Sequence, residues 1–442
     1  MSQRYLFLFW LPLFASWLLM TLEGPFVSAT VNRLPDEVVM LAAMGIVTSL
    51  SVTIESPIIN LLATSTALSK DRASYILLRN FTIHWMILLT SVTVLLAFTP
   101  LYNLVVVQWM NVPDDVATWV QPGLKIMTFW SAAIAWRRFL QGIMIRYNQT
   151  RKVAYGTLIR LATSAGTALL LALGSDLQGV IVGSTALMAG VVAEAFYATL
   201  ASRSILSNEL GPGSTRIEDK KLTYNELYRF HLPLAATSFL TLLVQPLVAY
   251  SLTQSANPTI SLAAWPVVFQ VTLVSRAAAF ALPEVVIAKY ADQATFQPIR
   301  RFTVTLVGVN TLLMGLFVIT PLVSYYLLVV QDLVIPVANL ARIGLALFLP
   351  LPALAILISW IRGLMINRGA TRLVNIGMAI NLVITTAVLF LGSVNNWPGI
   401  NAAAIALCAA AGVELLFLLW RVNGVIAYRY PLIRSRLPVV PG

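Results

Sequence analysis

Residues 141–145 read Gln-Gly-Ile-Met-Ile, and residues 362–366, which lie 221 positions later, read Arg-Gly-Leu-Met-Ile. Each segment is followed by a Thr-Arg pair, beginning at Thr150 and at Thr371. The same offset relates Leu11-Pro12-Leu13 to Leu232-Pro233-Leu234, Pro25 to Pro246, and Leu41-Ala42-Ala43 to Leu262-Ala263-Ala264. A register that holds over half a chain indicates an internal duplication. In membrane proteins, duplicated halves are typical of transporters, with the binding site between the repeats.

The composition predicts a membrane protein. Of the 442 residues, 59% are hydrophobic and only 10% are charged, whereas a soluble domain carries about 25% charged residues. Apolar runs of roughly 20 residues, the length needed to cross a bilayer, recur along the whole chain. The first run is too long for a cleavable signal, so we interpret it as a span. We predict twelve transmembrane spans, at about 5–28, 38–65, 77–101, 119–144, 153–174, 178–202, 226–254, 258–288, 299–327, 336–361, 370–393 and 399–423.

The net charge of +12 is placed according to membrane topology, so we expect no nucleic-acid partner. Basic residues cluster after every second predicted span and in the C-terminal tail, while the intervening loops carry several acids. Because cytoplasmic loops accumulate Lys and Arg, we expect an inner (cell) membrane protein with both termini cytoplasmic. That orientation requires an even number of spans. The basic loops are expected to contact lipid headgroups. The basic clusters are Lys70/Arg72/Arg79, Arg146/Arg151/Lys152, Arg203 to Arg229, Lys289/Arg300/Arg301, Arg368/Arg372 and Arg421 to Arg436.

Several chemistries find no support in the sequence. Cys408 is the single cysteine and lies within an apolar run, so a disulfide within the chain is impossible. His84 and His231 are the only histidines and belong to no Cys/His cluster, so we expect no zinc. There is no phosphate-binding loop motif. We therefore expect no cofactor and no enzymatic activity, and any transport should be secondary.

The most polar stretch, 203–225, divides the chain into two lobes of six spans each. We predict an N-lobe at 1–202, a cytoplasmic linker at 203–225, a C-lobe at 226–424 and a basic cytoplasmic tail at 425–442. Since six is even, the lobes should run parallel, related by a pseudo-twofold axis along the membrane normal. The expected fold is all-α and polytopic, with twelve transmembrane helices in two parallel six-helix lobes. Nothing requires more than a monomer.

Prolines within spans mark candidate hinges, because proline removes a backbone hydrogen bond and frees the carbonyl four residues earlier. In lipid that carbonyl needs another partner. Glu23-Gly24-Pro25 and Glu55-Ser56-Pro57 share a Glu-x-Pro spacing in the first and second spans, and Gln245-Pro246 lies in the seventh. We predict Pro25, Pro57 and Pro246 as hinges.

Charges at membrane depth normally face a cavity or a partner. Arg137 and Arg138 lie near the middle of the fourth span, and Gln141 shares their helix face. Paired guanidinium groups bind carboxylate or phosphate in a bidentate manner. We therefore identify these three residues as candidate substrate ligands. The alternative is that the arginines pair with buried Glu or extend to the interface.

Glu23 and Glu55 stand beside prolines in neighbouring spans. If they lie close together, repulsion and desolvation favour protonation of one of them, which suits coupling to H+ or, as an alternative ion, Na+. The competing interpretation is that each carboxylate pairs with Arg137, Arg138 or Arg276.

The duplication places Glu55 and Arg276 at equivalent positions with opposite charges. They are candidates for an ion pair that forms across the cleft in one state and separates in another, and Arg276 is also a candidate substrate ligand. Glu194 and Glu414 occupy matching Gly-Val contexts near the ends of both halves, and we interpret them as structural.

Several stretches resemble the progressive ankylosis protein family, within the superfamily of multidrug and toxin extrusion proteins and lipid-linked oligosaccharide flippases. The resemblance spans nearly the full length but is weak at each residue. It implies a twelve-helix, two-lobed fold like that of multidrug and toxin extrusion (MATE) transporters, and export of anions such as citrate, pyrophosphate or nucleotides. The pair Arg137-Arg138 and the tail ending Arg434-Ser435-Arg436 depart from the family pattern. The similar stretches are 36–42, 48–50, 69–72, Glu23, Ala135-Trp136, Gly142 and 412–414.

The leading functional hypothesis is a secondary transporter that exports a small organic anion or phosphate compound. A flippase for a lipid-linked phosphate or oligosaccharide is the first alternative, and it should have a lateral, polar-lined opening. A multidrug cation antiporter is the second, and the arginine pair argues against it. A non-transporting membrane scaffold is disfavoured by the number of charges at bilayer depth.

Overall fold

The computed structural model of the chain describes residues 1–211 and 222–425, and within these ranges it contains α-helices and no strand. The predicted tail, apart from Val425, and residues 212–221 of the predicted linker lie outside the described ranges. The helices are α1 (Gln3–Val31), α2 (Glu37–Glu55), α3 (Leu61–Leu68), α4 (Arg72–Phe98), α5 (Asp114–Ile126), α6 (Trp130–Arg146), α7 (Thr150–Gly174), α8 (Gly179–Asn208), α9 (Tyr224–Leu242), α10 (Val244–Thr253), α11 (Pro258–Ser275), α12 (Ala277–Lys289), α13 (Gln293–Ile319), α14 (Leu322–Tyr325), α15 (Ile335–Leu347), α16 (Leu351–Asn367), α17 (Thr371–Val394) and α18 (Gly399–Val425).

Ten of the helical segments in the described ranges are long and apolar enough to cross a bilayer. The pair α15 and α16, bent by 44°, makes an eleventh. The predicted fourth span, 119–144, corresponds to α5 and α6, separated by a short 3-10 turn at Met127–Phe129. Arg137 and Arg138 interrupt its apolar sequence, so this segment does not reach the apolar length of the others. The chain is a multi-pass, all-helical membrane protein.

Large aliphatic side chains on the outside of the bundle fit a lipid environment. Leu170 is 75% exposed, Leu173 is 87% exposed and Ile319 is 78% exposed. In water this surface would promote aggregation, whereas hydrocarbon solvates it.

The register of 221 residues recurs in the positions of the helix ends. Helices α4, α5 and α6 of the N-terminal half (1–211) begin and end 221 residues before α13, α15 and α16 of the C-terminal half (222–425). A π-helical turn precedes α5 at Asn103–Trp109, and another precedes α15 at Tyr326–Val330. The two halves therefore share one chain path, as a duplication predicts.

The turns between helices repeat as well. Asn111 and Asp332 both adopt left-handed backbone conformations, with φ of 51° and 53°. Asn148 and Gly369 form a second such pair, with φ of 59° and 76°. These residue types tolerate positive φ better than most, which explains why Asn, Asp and Gly occupy the matching positions.

Equivalent caps begin the third and ninth spans. Asp71 accepts a hydrogen bond from the backbone of Ser74 at the start of α4, and Asp292 accepts one from Thr295 at the start of α13. Hydrogen bonds from the backbone and hydroxyl of Thr295 hold the pKa of Asp292 below its ordinary value. Both caps satisfy amide groups that the first helical turn leaves free.

The glycine of the repeated motif permits close helix packing in both halves. A Cβ atom added at Gly142 would lie 2.5 Å from the carbonyl oxygen of Leu62 and 2.6 Å from Cβ of Ser65, so α6 presses directly on α3. A Cβ at Gly363 would lie 2.8 Å from Cβ of Val286, so α16 approaches α12 in the same way. Only glycine allows this approach.

The two halves meet through their first two spans. Helix α2 packs against α11, α1 packs against α11 and α12, and α9 packs against the break that follows α2. Within each half the last two spans pack together, α7 on α8 and α17 on α18. This arrangement matches two parallel bundles related by the duplication.

Candidate functional site

The N-terminal half contains a cluster of six ionisable side chains from five spans. Glu23 comes from α1, Glu55 from the last residue of α2, Arg137 and Arg138 from α6, Arg160 from α7 and Glu194 from α8. The cluster holds three arginines and three glutamates, so its formal charges balance. However, not all of these charged groups are paired with one another.

Glu194 is fully buried and is held by two of the three α6 residues predicted as substrate ligands. Arg137 Nη1 lies 2.5 Å from Glu194 Oε2, and Gln141 Nε2 donates to Oε1 over 2.9 Å. The four-residue spacing of Arg137 and Gln141 puts both on one face of α6. Both therefore satisfy a buried carboxylate, the alternative noted from the sequence for Arg137.

Glu23 is held by Arg160, which the sequence reasoning did not select. Arg160 Nε donates to Oε1 over 3.0 Å, Nη2 donates to Oε2 over 2.5 Å, and the Ser164 hydroxyl donates to Oε1 over 2.5 Å. Arg160 Nη1 is also 4.0 Å from Glu194 Oε2. Its guanidinium stacks over the Trp130 ring, 5.6 Å from the centroid. Arg160 thus links the two paired glutamates.

Glu55 and Arg138 have no such partner. Oε2 of Glu55 is buried without a hydrogen-bond partner, and so is Nε of Arg138. The charges of Arg160, Arg137 and Arg138 act on Glu55 through space, but no ion pair to Glu55 occurs among residues 1–211 and 222–425. An unpaired charge within a bilayer span is costly, which distinguishes these two residues from their paired neighbours.

The C-terminal half contains an equivalent but smaller centre. Arg362 donates to Glu414 from Nε, over 2.9 Å, and from Nη2, while Asn381 Nδ2 donates to Oε2 over 3.0 Å. By the 221-residue register, Arg362 corresponds to Gln141 and Asn381 corresponds to Arg160. Each glutamate therefore contacts the same two positions, Glu194 through the bond from Gln141 and the 4.0 Å approach of Arg160, and Glu414 through Arg362 and Asn381.

Arg276 lies at the break between α11 and α12. Its Nε is buried without a hydrogen-bond partner, and its guanidinium lies 5.4 Å from the centroid of the Phe280 ring. No ion pair joins Arg276 to Glu55 in the described part of the chain. The hypothesised cleft pair is therefore absent from this conformation, and Arg276, like Arg138, has no carboxylate partner.

The predicted hinges differ in their local structure. Pro57 lies within the 3-10 turn Ser56–Ile58 that interrupts the second span, where Ser56 Oγ donates to the Thr53 carbonyl over 2.7 Å. Pro246 follows the break at Leu243 between α9 and α10. Pro25 lies inside a continuous helix. In the described ranges no three His, Cys, Asp or Glu side chains are grouped to hold a metal ion.

An all-helical bundle with interrupted helices, a chain path repeated in its two halves and a charged cluster within each half has the fold of the multidrug and toxin extrusion (MATE) transporters. A multidrug resistance MATE family transporter in an inward-facing conformation superposes with a TM-score of 0.69 and 13% identity, over 93% of this chain and 95% of that one. A transporter of the wider MOP superfamily from Pyrococcus furiosus, described as having a binding pocket of reverse polarity, gives 0.63 and 13%, over 96% of both chains.

The lipid II flippase MurJ, in an inward closed conformation, gives a TM-score of 0.71 and 11% identity, over 93% of this chain and 87% of that one. No protein-family model and no curated protein sequence matches this chain. At this identity the likeness establishes the fold. The narrower resemblance to progressive ankylosis proteins is not among these findings.

Proposed function

We propose that this protein is a secondary transporter that carries a small organic anion or phosphate compound by alternating access of its two lobes. The observation that supports this most directly is that each half has an arginine within a predicted span, Arg138 or Arg276, whose Nε is buried without a hydrogen-bond partner and which forms no ion pair within residues 1–211 and 222–425. The neighbouring arginines 137, 160 and 362 all have one.

Of the candidate substrate ligands, we retain Arg138 and Arg276. A guanidinium group binds a carboxylate or phosphate through two parallel hydrogen bonds. Arg137 and Gln141, which were also candidates, are instead assigned to holding Glu194 in place. The two unpaired arginines belong to different halves, so an anion that binds to both would respond to movement of the lobes, as expected of a carrier whose lobes rock around its substrate.

We assign ion coupling to Glu55 rather than Glu23. Glu23 accepts three hydrogen bonds from Arg160 and Ser164, whereas Oε2 of Glu55 has no partner. A carboxylate that is already paired with an arginine should bind a cation only weakly. An unsatisfied one is free to bind H+ or Na+ and to release it when the lobes move.

A flippase for a lipid-linked phosphate is the second candidate, favoured by the likeness to MurJ and by the same arginines. Entry of a lipid requires a lateral opening between the lobes. The two seams are bridged here, by Trp10 Nε1 to the Ala278 carbonyl, 3.4 Å, and by Asn60 Nδ2 to the Leu234 carbonyl, 2.9 Å. These bridges favour a soluble anion. A cation antiporter fits less well, since the three unpaired groups sum to one positive charge.

The test is flux in proteoliposomes, at varied pH and Na+, with citrate, pyrophosphate, nucleotides, a cationic dye and a polyprenyl pyrophosphate. Arg138→Gln and Arg276→Gln should each reduce anion flux more than about tenfold, which corresponds to loss of a charge-assisted interaction. Arg342→Gln, at an exposed arginine of α15, is the matched control. Unchanged anion flux in both variants would remove the proposal, and translocation of the polyprenyl compound alone would establish the flippase.

A further inference from the structure

The two Glu-x-Pro units of the N-terminal half are each tied to the C-terminal half at the proline carbonyl. Gln331 Nε2 donates to the Pro25 carbonyl over 3.1 Å. His231 Nε2 lies 3.1 Å from the Pro57 carbonyl. Each proline stands two residues after a glutamate of the charged cluster, so both bonds act on the helix segments that carry Glu23 and Glu55.

The His231 side chain, on α9 of the C-terminal half, packs among residues of the N-terminal half. The side chain is fully buried, its ring lies edge-on to Phe81 at 5.2 Å, and Nδ1 is 2.9 Å from the Thr64 hydroxyl. A carbonyl oxygen only accepts, so Nε2 carries the proton toward Pro57 and the Thr64 hydroxyl donates to Nδ1. Thus both ring nitrogens bond to α3 or to the break before it.

Gln331 makes the corresponding contact beyond the π-helical turn 326–330. It is fully buried, Nε2 also donates to the Tyr326 hydroxyl over 2.9 Å, and its backbone carbonyl accepts from Asn32 Nδ2 over 2.8 Å. Arg33, which follows Asn32 in the loop after α1, donates to the carbonyls of Val329 and Val330, each over 3.0 Å. Gln331 therefore belongs to a polar seal between the end of α1 and the C-terminal half.

These two contacts lie toward opposite faces of the membrane. Helix α9 begins on the face where α1 begins, since six spans separate them, and His231 lies in its first two turns. Asn32 follows the last turn of α1, on the other face, and this is the face that carries Gln331. We call the membrane face on which α1 begins the N-terminal face, and the opposite face, on which α1 ends, the distal face.

Building on the proposed transport function, we propose that His231 and Gln331 are positioning residues that connect the Glu55 and Glu23 segments to lobe opening. His231 holds the halves together at the N-terminal face through Pro57, and Gln331 does so at the distal face through Pro25. Both bonds are present here, so this structure is closed at both points. Alternating access then requires that only one of them breaks at a time.

Opposite effects follow from removing the two donors. His231→Leu should favour the state open at the N-terminal face, and Gln331→Met should favour the state open at the distal face. Each shift should be about fivefold, the factor contributed by one hydrogen bond of ordinary strength. A merely structural role predicts lower stability in both variants and no such opposition. His231→Gln keeps an N–H donor and should restore the wild-type ratio.

The experiment measures distances between paired spin labels in the full chain, reconstituted in lipid and carrying Cys408→Ala. One pair reports the N-terminal face and the other the distal face, and all four positions are exposed, with the members of each pair equivalent under the duplication. The label positions are Ala73 with Ala294, at the starts of α4 and α13, and Thr118 with Asn339, in the first turns of α5 and α15.

The controls remove bonds of the same kind that lie within one half. Gln121→Met deletes a bond of Nε2 to the Ala97 carbonyl, also 3.1 Å, and Asn367→Leu deletes bonds to the carbonyls of Ile287 and Tyr290. Neither should move the populations by more than about twofold. Shifts in the same direction, or none, in His231→Leu and Gln331→Met would overturn the proposal while leaving anion transport standing. A single wild-type distance distribution under all conditions would overturn alternating access as well.

Discussion

Arg137 and Arg138 are consecutive residues of α6 with opposite surroundings. The turn of the helix between them directs Arg137 at the carboxylate of Glu194, whereas Arg138 forms no ion pair with any acid of the described ranges. A buried pair that loses one member leaves the other charge uncompensated, which costs several kcal/mol. Two adjacent residues of one type therefore differ in what their removal does.

Arg137→Gln should lower the free energy of unfolding by about 3 kcal/mol, because Glu194 stays buried and keeps only the longer, 4.0 Å contact with Arg160. Arg138→Gln should change it by less than about 1 kcal/mol. Thermal denaturation in detergent, followed by size-exclusion chromatography of the remaining folded protein, measures both. Equal losses in the two variants would contradict the assignment of Arg137 as structural and Arg138 as free.

Arg160 and Glu23 should be energetically coupled. Arg160→Gln leaves Glu23 buried with only the Ser164 hydroxyl, so the single variant should be less stable than the double variant Arg160→Gln with Glu23→Gln. A double-mutant cycle should return a coupling energy above about 1 kcal/mol. Arg151→Gln, at an exposed residue in the first turn of the same helix, is the control, and its cycle with Glu23→Gln should be additive.

At the scale of helices, the interruptions and close approaches follow the duplication. The breaks at Ser56–Ile58 and before Ala277 are equivalent, and those at Met127–Phe129 and between α15 and α16 form a second pair. The glycines of the repeated motif, Gly142 and Gly363, lie on α6 and α16, the helices that follow the second pair of breaks. Each glycine brings one interrupted span against another, α6 against α3 and α16 against α12.

Gly142→Ala and Gly363→Ala should each destabilise the protein, by about 1–3 kcal/mol, because the added methyl overlaps Leu62 and Ser65 or Val286. Gly166→Ala and Gly308→Ala add the same methyl inside α7 and α13, where no atom lies within 4 Å. These controls should be neutral or slightly stabilising, since alanine favours helix over glycine. Destabilisation of all four variants alike would show that packing at the motif glycines is not special.

The sequence predicts helices better than it predicts their interruptions. Apolar length and the repeated register locate the spans, because burial in lipid depends on composition. Pro57 marks a true break, but α1 remains helical through Pro25, since the neighbouring turns of a membrane helix can absorb one missing bond. The break at Arg276 has no proline beside it in the sequence and was not predicted.

The candidate site was predictable in its membership more than in its pairing. Glu23, Glu55, Arg137 and Gln141 are recognisable because a charge or amide at membrane depth is rare. Which carboxylate meets which arginine depends on helix rotation, which hydrophobicity does not report. Arg160 was overlooked, although it lies within the predicted span 153–174 and its equivalent, Asn381, is another polar residue at depth.

At the scale of the whole molecule, the two halves carry different charges on one framework. The N-terminal centre leaves Glu55 and Arg138 unpaired, and the C-terminal centre leaves Arg276 unpaired. Glu55 faces the charges of three arginines, whereas Arg276 lies near Arg362 and Glu414. The halves are therefore related in fold but divided in their proposed tasks, with ion coupling in one and anion binding in both.

Exchanging the charges of Glu55 and Arg276 should not restore transport lost in either single variant. An arginine at position 55 would join Arg137, Arg138 and Arg160 without adequate compensation, and like charges in a span repel strongly. Anion flux of Glu55→Arg, Arg276→Glu and their combination measures this. Recovery in the combination would instead indicate that the two residues meet in another conformation.

The shared chain path also bears on how such a molecule arose. Two identical copies of an ancestral six-span unit, inserted side by side in the same orientation, would have carried the same residue at the positions now held by Glu55 and Arg276. In such a symmetric pair the two copies would have had identical chemistry at every matched position. Fusion into one polypeptide let each copy mutate alone, and the opposite signs at this matched position record that division of labour.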